Sequence, residues 1–314
     1  MNRELRTVNR TDGMKPEEKK ALEQKIRGHV RYGEPLDKHT SFGIGGPADI
    51  MVFPEGLEDV QATLSFCHSA RAPYLVLGGG SNVLVRDGGF RGVVLHMDGV
   101  FPQLACEETR IRTGAGVRLS RLIAFCSRQG LAGMECLAGI PGTVGGAVKG
   151  NAGAVGGCIA DHLVEVRLLL PEGDEQVFSR DQLEFSYRRS SLPAGCVVVE
   201  ASFDLERGDP VEIRRRVSEN LLERNRRQPV EWRSAGSIFK NPPGDYAGRL
   251  VEKVKVKGTR VGDACISPKH GNFIINLGRA TAVDVLALIR VVQRRVHEDT
   301  GVELELEVQA VGEE

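Results

Sequence analysis

The sequence contains no apolar run approaching the ~20 residues that a membrane-spanning helix needs, so no transmembrane segment is expected. Its opening, MNRELRTVNRTDGMKPEEKK, is polar and has no apolar core of the kind a secretory signal carries. The seven cysteines are odd in number, scattered, and never spaced CxxC. This spacing indicates neither a disulfide framework nor a zinc site. The seven histidines are equally dispersed, with no HxxxH pair, and no metal ligand set is expected. Charge of one sign is not in excess either: Lys plus Arg and Asp plus Glu each total 42. A balanced chain does not bind nucleic acid through bulk charge. These absences together lead to the expectation of a cytoplasmic protein with no membrane, nucleic-acid or obligate protein partner.

Glycine, by contrast, is plentiful. There are 38, concentrated in 43–46, 78–80, 88–92, 139–157 and 271–278. Glycine serves where a backbone must turn left-handed or approach a ligand closely. One such cluster is most simply a turn; several together favour loops wrapped around a large cofactor.

The 314 residues suit two or three packed domains. Residues 1–25 are expected to lie outside the domains as an extension, disordered over 1–14, with a helix opening at Pro16 and running to Gly28. Leu57, Val60, Leu64 and Cys67 form a helical stripe over 57–70. Short strands are expected at Tyr74–Leu77, Val93–Leu95, Arg110–Thr113, Leu163–Leu170 and Cys196–Leu205. Helices are expected at Leu119–Arg128, Pro210–Arg227, 246–254 and Val283–Asp299. The last starts at a capping box of Thr281 with Asp284 and stops at Gly301. A strand at Asn272–Asn276 and an alternating strand over 302–311 complete the pattern. Helices and strands mix without strict alternation, which predicts an α+β fold.

Three segments imitate a dinucleotide fingerprint: Gly43–Ala48, Gly78–Asn82 and Gly114–Gly116. That fingerprint works between a strand and a helix whose N-terminus meets a pyrophosphate. The second segment runs on into Val83-Leu84-Val85, which is strand-like, so a Rossmann domain is rejected. Backbone N–H groups in a glycine turn still form an anion nest without a helix.

LGGGSNVLVRDGGFRGVVL at 77–95 and GIPGTVGGAVKGNAGAVGG at 139–157 resemble the FAD-binding fold of the vanillyl-alcohol oxidase type. YRRS at 187–190, SAGSIFKNP at 234–242, AGRLVEK at 247–253, KHGNFIIN at 269–276 and LELEV at 304–308 narrow the likeness. Together they resemble the UDP-N-acetylenolpyruvoylglucosamine reductase family over about residues 30–312, in its shorter subclass. The resemblance implies FAD-binding subdomains at 26–98 and 99–207 and an α+β substrate-binding domain at 208–314. It implies noncovalent FAD on Gly78, Gly79, Gly80, Ser81 and Asn82 and on Gly139, Pro141, Gly142, Thr143, Gly145, Gly146, Asn151, Ala152 and Gly153. It implies NADPH as reductant and a nucleotide sugar as substrate, whose enolpyruvyl group is reduced to a lactyl ether for peptidoglycan synthesis. Ser237 matches the family's proton donor, and Arg188 and Glu307 its other two catalytic positions. Tyr187, Lys240, Asn241 and Asn272, which lie in its substrate-domain motifs, are implied to bind the substrate. Lys149-Gly150, Arg233 and Gly271 depart from the common residues.

The chemistry asks for such residues. A carboxylate attached to an enol ether must be engaged by a cation before hydride can add, and a fixed guanidinium such as Arg188 serves. A hydroxyl is a poor acid at neutral pH, so Ser237 needs a neighbour such as Lys240 or a water chain. Taken singly, Ser237 reads as a turn residue, Arg188 as an exposed cation and the three glutamates near the C-terminus as solvated. Their motifs tip the balance. An oxidase on the same flavin fold and a non-catalytic flavin or nucleotide-sugar binder remain the alternatives. Substrate assays against O₂ separate the first; joint presence of Ser237, Arg188 and Glu307 argues against the second.

Overall fold

The computed structural model describes residues 14–154 and 156–314. The expected disorder at the very N-terminus lies outside those residues. The described chain forms two compact units, each assembled from separated stretches. The first takes the chain up to Gly33, then Asp49–Gly79 and Arg91–Leu222. The second takes Glu34–Ala48, Gly80–Phe90 and Glu223–Glu314.

The first unit opens with helix α1, Pro16–Glu23, with proline in its first turn. Leu22 is fully buried in a core with Ile50, Val60 and Leu64. That burial corrects the assignment of residues 16–25 to an extension. The helix also stops short of Gly28, because the N–H groups of Arg27 and Gly28 turn to the Asp59 carboxylate, at 2.9 and 3.0 Å. Asp59 lies in α2, Leu57–Ala70, which buries Val60, Thr63, Leu64 and Cys67 on one face. Strands His29–Pro35, Pro47–Phe53, Phe90–His96 and Tyr74–Leu77 form one sheet in that order.

A five-stranded antiparallel sheet follows, in the order Glu175–Ser179, Leu163–Leu169, Val197–Asp204, Arg110–Gly114 and Leu104–Glu107. Its middle strand feeds two cores. Val197 and Val199 join the core of α1 and α2, whereas Ala201 and Phe203 join a second core under α3, Leu119–Gln129. Strict alternation would put all four on one face. A register slip between Arg167 and Leu168 on the neighbouring strand marks a bulge, and a one-residue slip sends side chains to the opposite face. Gly130 closes α3 in the left-handed region, at φ +66°.

A short helix, α4 at Val144–Lys149, sits inside the glycine-rich segment and was not foreseen from the sequence. α5 spans Pro210–Arg227, the bounds expected for a charged helix.

The second unit packs α6, Ala247–Lys253, and α7, Ala282–Thr300, with a small sheet of Arg260–Val261, Ala264–Ile266 and Ile274–Asn276. α7 buries Val285, Leu288, Ile289, Val292 and Val296. Its capping box is formed: Asp284 N–H donates to Thr281 Oγ1 at 3.2 Å and Thr281 N–H to Asp284 Oδ2 at 3.0 Å. The continuous strand expected over 302–311 is shorter. Only Gln309–Val311 is a strand, parallel to Val83–Val85, and Leu306 makes an isolated bridge to Phe239. Burial alternates where the ladder is absent: Leu304 and Val308 are buried, Glu303 and Glu305 exposed.

Candidate active site

Two of the glycine segments meet back to back in the first unit. A Cβ added at Gly79 would lie 3.0 Å from the Cα of Gly142, and one at Gly78 would lie 2.5 Å from Thr143 Oγ1. No side chain fits at either position without moving backbone or Thr143. Gly142 itself is left-handed at φ +117°, and Gly139 at +77°. The segment then enters α4. The first two helical N–H groups are already used, Val144 on Val117 O and Gly145 on Ala115 O, both at 2.9 Å. Gly145 is also held small by Ala115, whose Cβ would be 3.0 Å from an added one. Gly146 is different. It is exposed, and nothing within 3.4 Å would oppose a Cβ, the nearest atom being Thr143 Oγ1 at 3.7 Å. Glycine inside a helix costs roughly 1 kcal/mol against alanine. No packing within the protein requires it at Gly146, so that bare face suits close approach of a ligand.

Beyond α4 the chain is tied to the hairpin that carries Arg188. Asn151 Nδ2 donates to Ser186 O at 2.9 Å, Arg188 Nη1 to Gly153 O at 2.8 Å, and Ser190 Oγ to Lys149 O at 2.7 Å. Strands Phe185–Ser186 and Arg189–Ser190 leave Tyr187-Arg188 as a two-residue turn. Arg188 sits there at φ +56°, a conformation that favours glycine or asparagine. Its guanidinium lies 5.3 Å from the Tyr187 ring centre. Asn151 is also left-handed, at φ +42°, and is buried. Its Oδ1 has no hydrogen-bond partner among the described residues. A buried acceptor without a donor carries an energetic cost that a bound polar group relieves. These features fit a flavin dinucleotide: paired glycine turns, a bare helix face at Gly146, and an open acceptor on Asn151. Ala152 follows Asn151, and its N–H is bonded to Ala147 O. Pro141 is exposed at the loop's tip.

In the second unit, Gly80 opens the rest of the first motif at φ +59°. Its carbonyl receives Ser41 N–H at 3.0 Å. Asn82 reaches further, donating from Nδ2 to Glu307 O at 3.1 Å and accepting Gln309 N–H at 3.0 Å. The segment holding Glu307 in turn bonds to the segment holding Ser237. Glu307 N–H donates to Ile238 O at 2.8 Å and Lys240 N–H to Glu305 O at 2.9 Å. Thus GGGSN, GSIFKNP and LELEV converge through backbone pairing. Ser237 and Glu307 are half-buried, as is Ser81, which precedes Asn82.

The remaining residues have visible tasks. Asn272 is buried, and its amide grips Phe239 at both ends: Oδ1 accepts Phe239 N–H at 2.9 Å and Nδ2 donates to Phe239 O at 2.8 Å. Asn272 N–H donates to His270 Nδ1 at 3.1 Å, and burial pulls the His270 pKa down, which preserves that acceptor. Asn241 Oδ1 accepts Ala247 N–H at 3.0 Å and so caps α6. Lys240 Nζ lies 3.5 Å from Glu305 Oε2, both partly or fully exposed. Such surface pairs contribute about 0–1 kcal/mol. Sequence reading missed the left-handed Arg188, the Ser190 tie and the Asn82 bond to Glu307; no local signal announces them. Of the departures, Arg233 packs over Gly43, and an added Cβ at Gly271 would sit 2.9 Å from Gly248 O.

Comparison with known proteins points to one family. Residues 48–179 match the FAD binding domain family, and residues 228–311 match the UDP-N-acetylenolpyruvoylglucosamine reductase C-terminal domain. The UDP-N-acetylenolpyruvoylglucosamine reductase of Moorella thermoacetica is 44% identical over 93% of this chain and 96% of its own. That of Lachnoclostridium phytofermentans is 45% identical over 90% and 93%. The crystal structure of the Thermus caldophilus reductase superposes with a TM-score of 0.78 at 40% identity, over 91% of this chain and all of that one. With relatives of this identity matched along nearly their whole length, the chain belongs to the UDP-N-acetylenolpyruvoylglucosamine reductase family.

Proposed function

We propose that the protein reduces the enolpyruvyl group of UDP-N-acetylglucosamine enolpyruvate to the lactyl ether, giving UDP-N-acetylmuramate for peptidoglycan, with NADPH as the reductant. The observation that carries the reading is the backbone pairing of the Ser237 and Glu307 segments, tied by Asn82 to the glycine motif.

FAD, when bound, supplies a carrier for the hydride equivalent that no amino-acid side chain provides. Gly78–Asn82 and Gly139–Gly153 would hold it. The protein's own residues do the rest. Arg188 engages the substrate carboxylate with a guanidinium already fixed by its bond to Gly153 O. Charge developing on that carboxylate during reduction then meets a donor that needs no reorganisation. Ser237 gives a proton to the α-carbon. Glu307 works beside it, protonated or neutralised by a cation, because an ionised carboxylate would repel the developing charge. Tyr187, Lys240 and Asn241 contribute to holding the nucleotide sugar.

Purified protein should oxidise NADPH over many turnovers only when UDP-N-acetylglucosamine enolpyruvate is present, and acid should release its flavin. A colourless protein that cannot be reconstituted with FAD, or NADPH oxidation indifferent to the sugar, overturns the reading.

A further inference from the structure

Asn272 has one hydrogen-bonding side chain and spends both ends of it on a single residue. The Phe239 N–H enters Oδ1 at 2.9 Å and the Phe239 carbonyl receives Nδ2–H at 2.8 Å. Asn272's own carbonyl accepts Ile238 N–H at 2.9 Å. Three bonds from one buried residue therefore fix the two residues that follow Ser237. On its other side the same stretch is held by Glu307 N–H on Ile238 O. Ile238 and Phe239 are themselves fully buried, so the stretch is anchored by packing as well as by polar bonds.

Ser237 lacks such regularity. It follows Gly236, left-handed at φ +74°, which has no protein atom closer than 3.9 Å to an added Cβ. Gly236 and Ser237 thus join two held stretches: before them Ser234 O accepts the Ser41 hydroxyl at 2.7 Å and Ala235 is buried, and after them Ile238 and Phe239 are bonded on both sides. A proton donor must be held within a fraction of an ångström of its target, and a misplacement of 1 Å costs about 100-fold in rate. Immediately after Ser237, three of the bonds that hold the chain come from Asn272.

We infer that Asn272 is a positioning residue: its amide clamps Phe239 so that the Ser237 hydroxyl is held where it delivers its proton, and it takes no part in substrate contact. His270 belongs to the same device, since its Nδ1 accepts the Asn272 N–H and its ring stands edge-on to Phe273 at 4.9 Å. The inference rests on the proposed role of Ser237 as proton donor.

Asn272→Asp tests it. The carboxylate keeps an acceptor for Phe239 N–H and replaces the donor by an oxygen that faces the Phe239 carbonyl. Flavin content and flavin reduction by NADPH should stay within about twofold of the wild type, the sugar's dissociation constant likewise, and reoxidation by the sugar should slow by about 10- to 100-fold. In a Ser237→Ala background the same change should add nothing, because the clamp acts only through Ser237. Asn272→Ser, which retains one hydroxyl, should show a milder version. Weakened sugar binding with unchanged reoxidation would make Asn272 a substrate contact and overturn the inference. Additive losses in the double variant would overturn it too, as would failure of both single variants to retain flavin. If Ser237→Ala itself leaves reoxidation intact, the donor assignment has failed instead, and the two failures are told apart.

Discussion

Arg188 occupies a left-handed turn position that suits glycine far better, and the conformation costs an L-residue roughly 1–2 kcal/mol. Strain of this kind points to function when it sits in a site rather than in a plain loop. Arg188→Gly should therefore unfold no earlier than the wild type, because relief of that strain offsets the lost bond to Gly153, yet it should turn over the sugar at least about 100-fold more slowly. Chemical denaturation beside steady-state kinetics checks both halves; parallel loss of stability and activity would make Arg188 structural. The glutamates separate in the same way. Glu305 is exposed and paired with Lys240, whereas Glu307 is half-buried with its backbone bonded to Ile238 and Asn82. Glu307→Gln should slow reoxidation of the flavin by the sugar while the flavin stays bound, and Glu305→Gln should be nearly silent. Rapid-mixing absorbance distinguishes them, and equal effects would refute the assignment. Ser237, Arg188 and Glu307 stand out in the sequence as candidates through their motifs alone. What holds them in place is not legible there, because a left-handed arginine and a clamp made by Asn272 arise from tertiary bonds.

Elements with strong periodicity or clear stops coincide with their sequence reading: α2 at 57–70, the strand Tyr74–Leu77 and α5 at 210–227. α4 escaped notice because Gly145 and Gly146 argue against a helix, and long-range bonds to Ala115 and Val117 override that propensity. Gly146→Ala exploits the conflict. It should raise the stability of the flavin-free protein by about 1 kcal/mol and weaken FAD binding, read by thermal unfolding of the apoprotein and by flavin titration. Unchanged FAD affinity would show that the bare helix face is not a cofactor surface. Asp59 in α2 offers a second test. Burial alone would raise its pKa, but N–H donors from Arg27, Glu55 and Gly28 outweigh it and hold the carboxyl below its ordinary 3.8. A depressed carboxyl stabilises the fold fully above the unfolded pKa and loses that contribution as pH falls through the folded value. Carboxyl carbon shifts should place the Asp59 midpoint below 3.8, and Asp59→Asn should flatten the acid limb of the stability profile. A midpoint at or above the ordinary value would contradict this.

The whole molecule is where the linear reading loses most. Residues 34–48 and 80–90, placed by sequence order within the first FAD subdomain, pack with the C-terminal residues instead. Strand Val83–Val85 pairs with Gln309–Val311, more than two hundred residues away, and no local pattern encodes that partnership. The α+β class was legible because periodicity and glycine placement are local; the discontinuous units were not, because they depend on pairing across the chain. The consequence is functional, since the pairing carries Glu307 to Asn82. The protein is an FAD-dependent oxidoreductase by family, and its central step under this account is proton delivery by Ser237 during reduction of the sugar. The most direct measurement is anaerobic rapid mixing of the flavoprotein in two stages, first with NADPH and then with UDP-N-acetylglucosamine enolpyruvate, for wild type and Ser237→Ala. The account predicts nearly equal flavin bleaching by NADPH in both, followed by prompt recovery of colour with the sugar in the wild type and recovery slower by orders of magnitude in the variant. Equal impairment of both stages in Ser237→Ala, or a wild type whose colour the sugar does not restore, would contradict it.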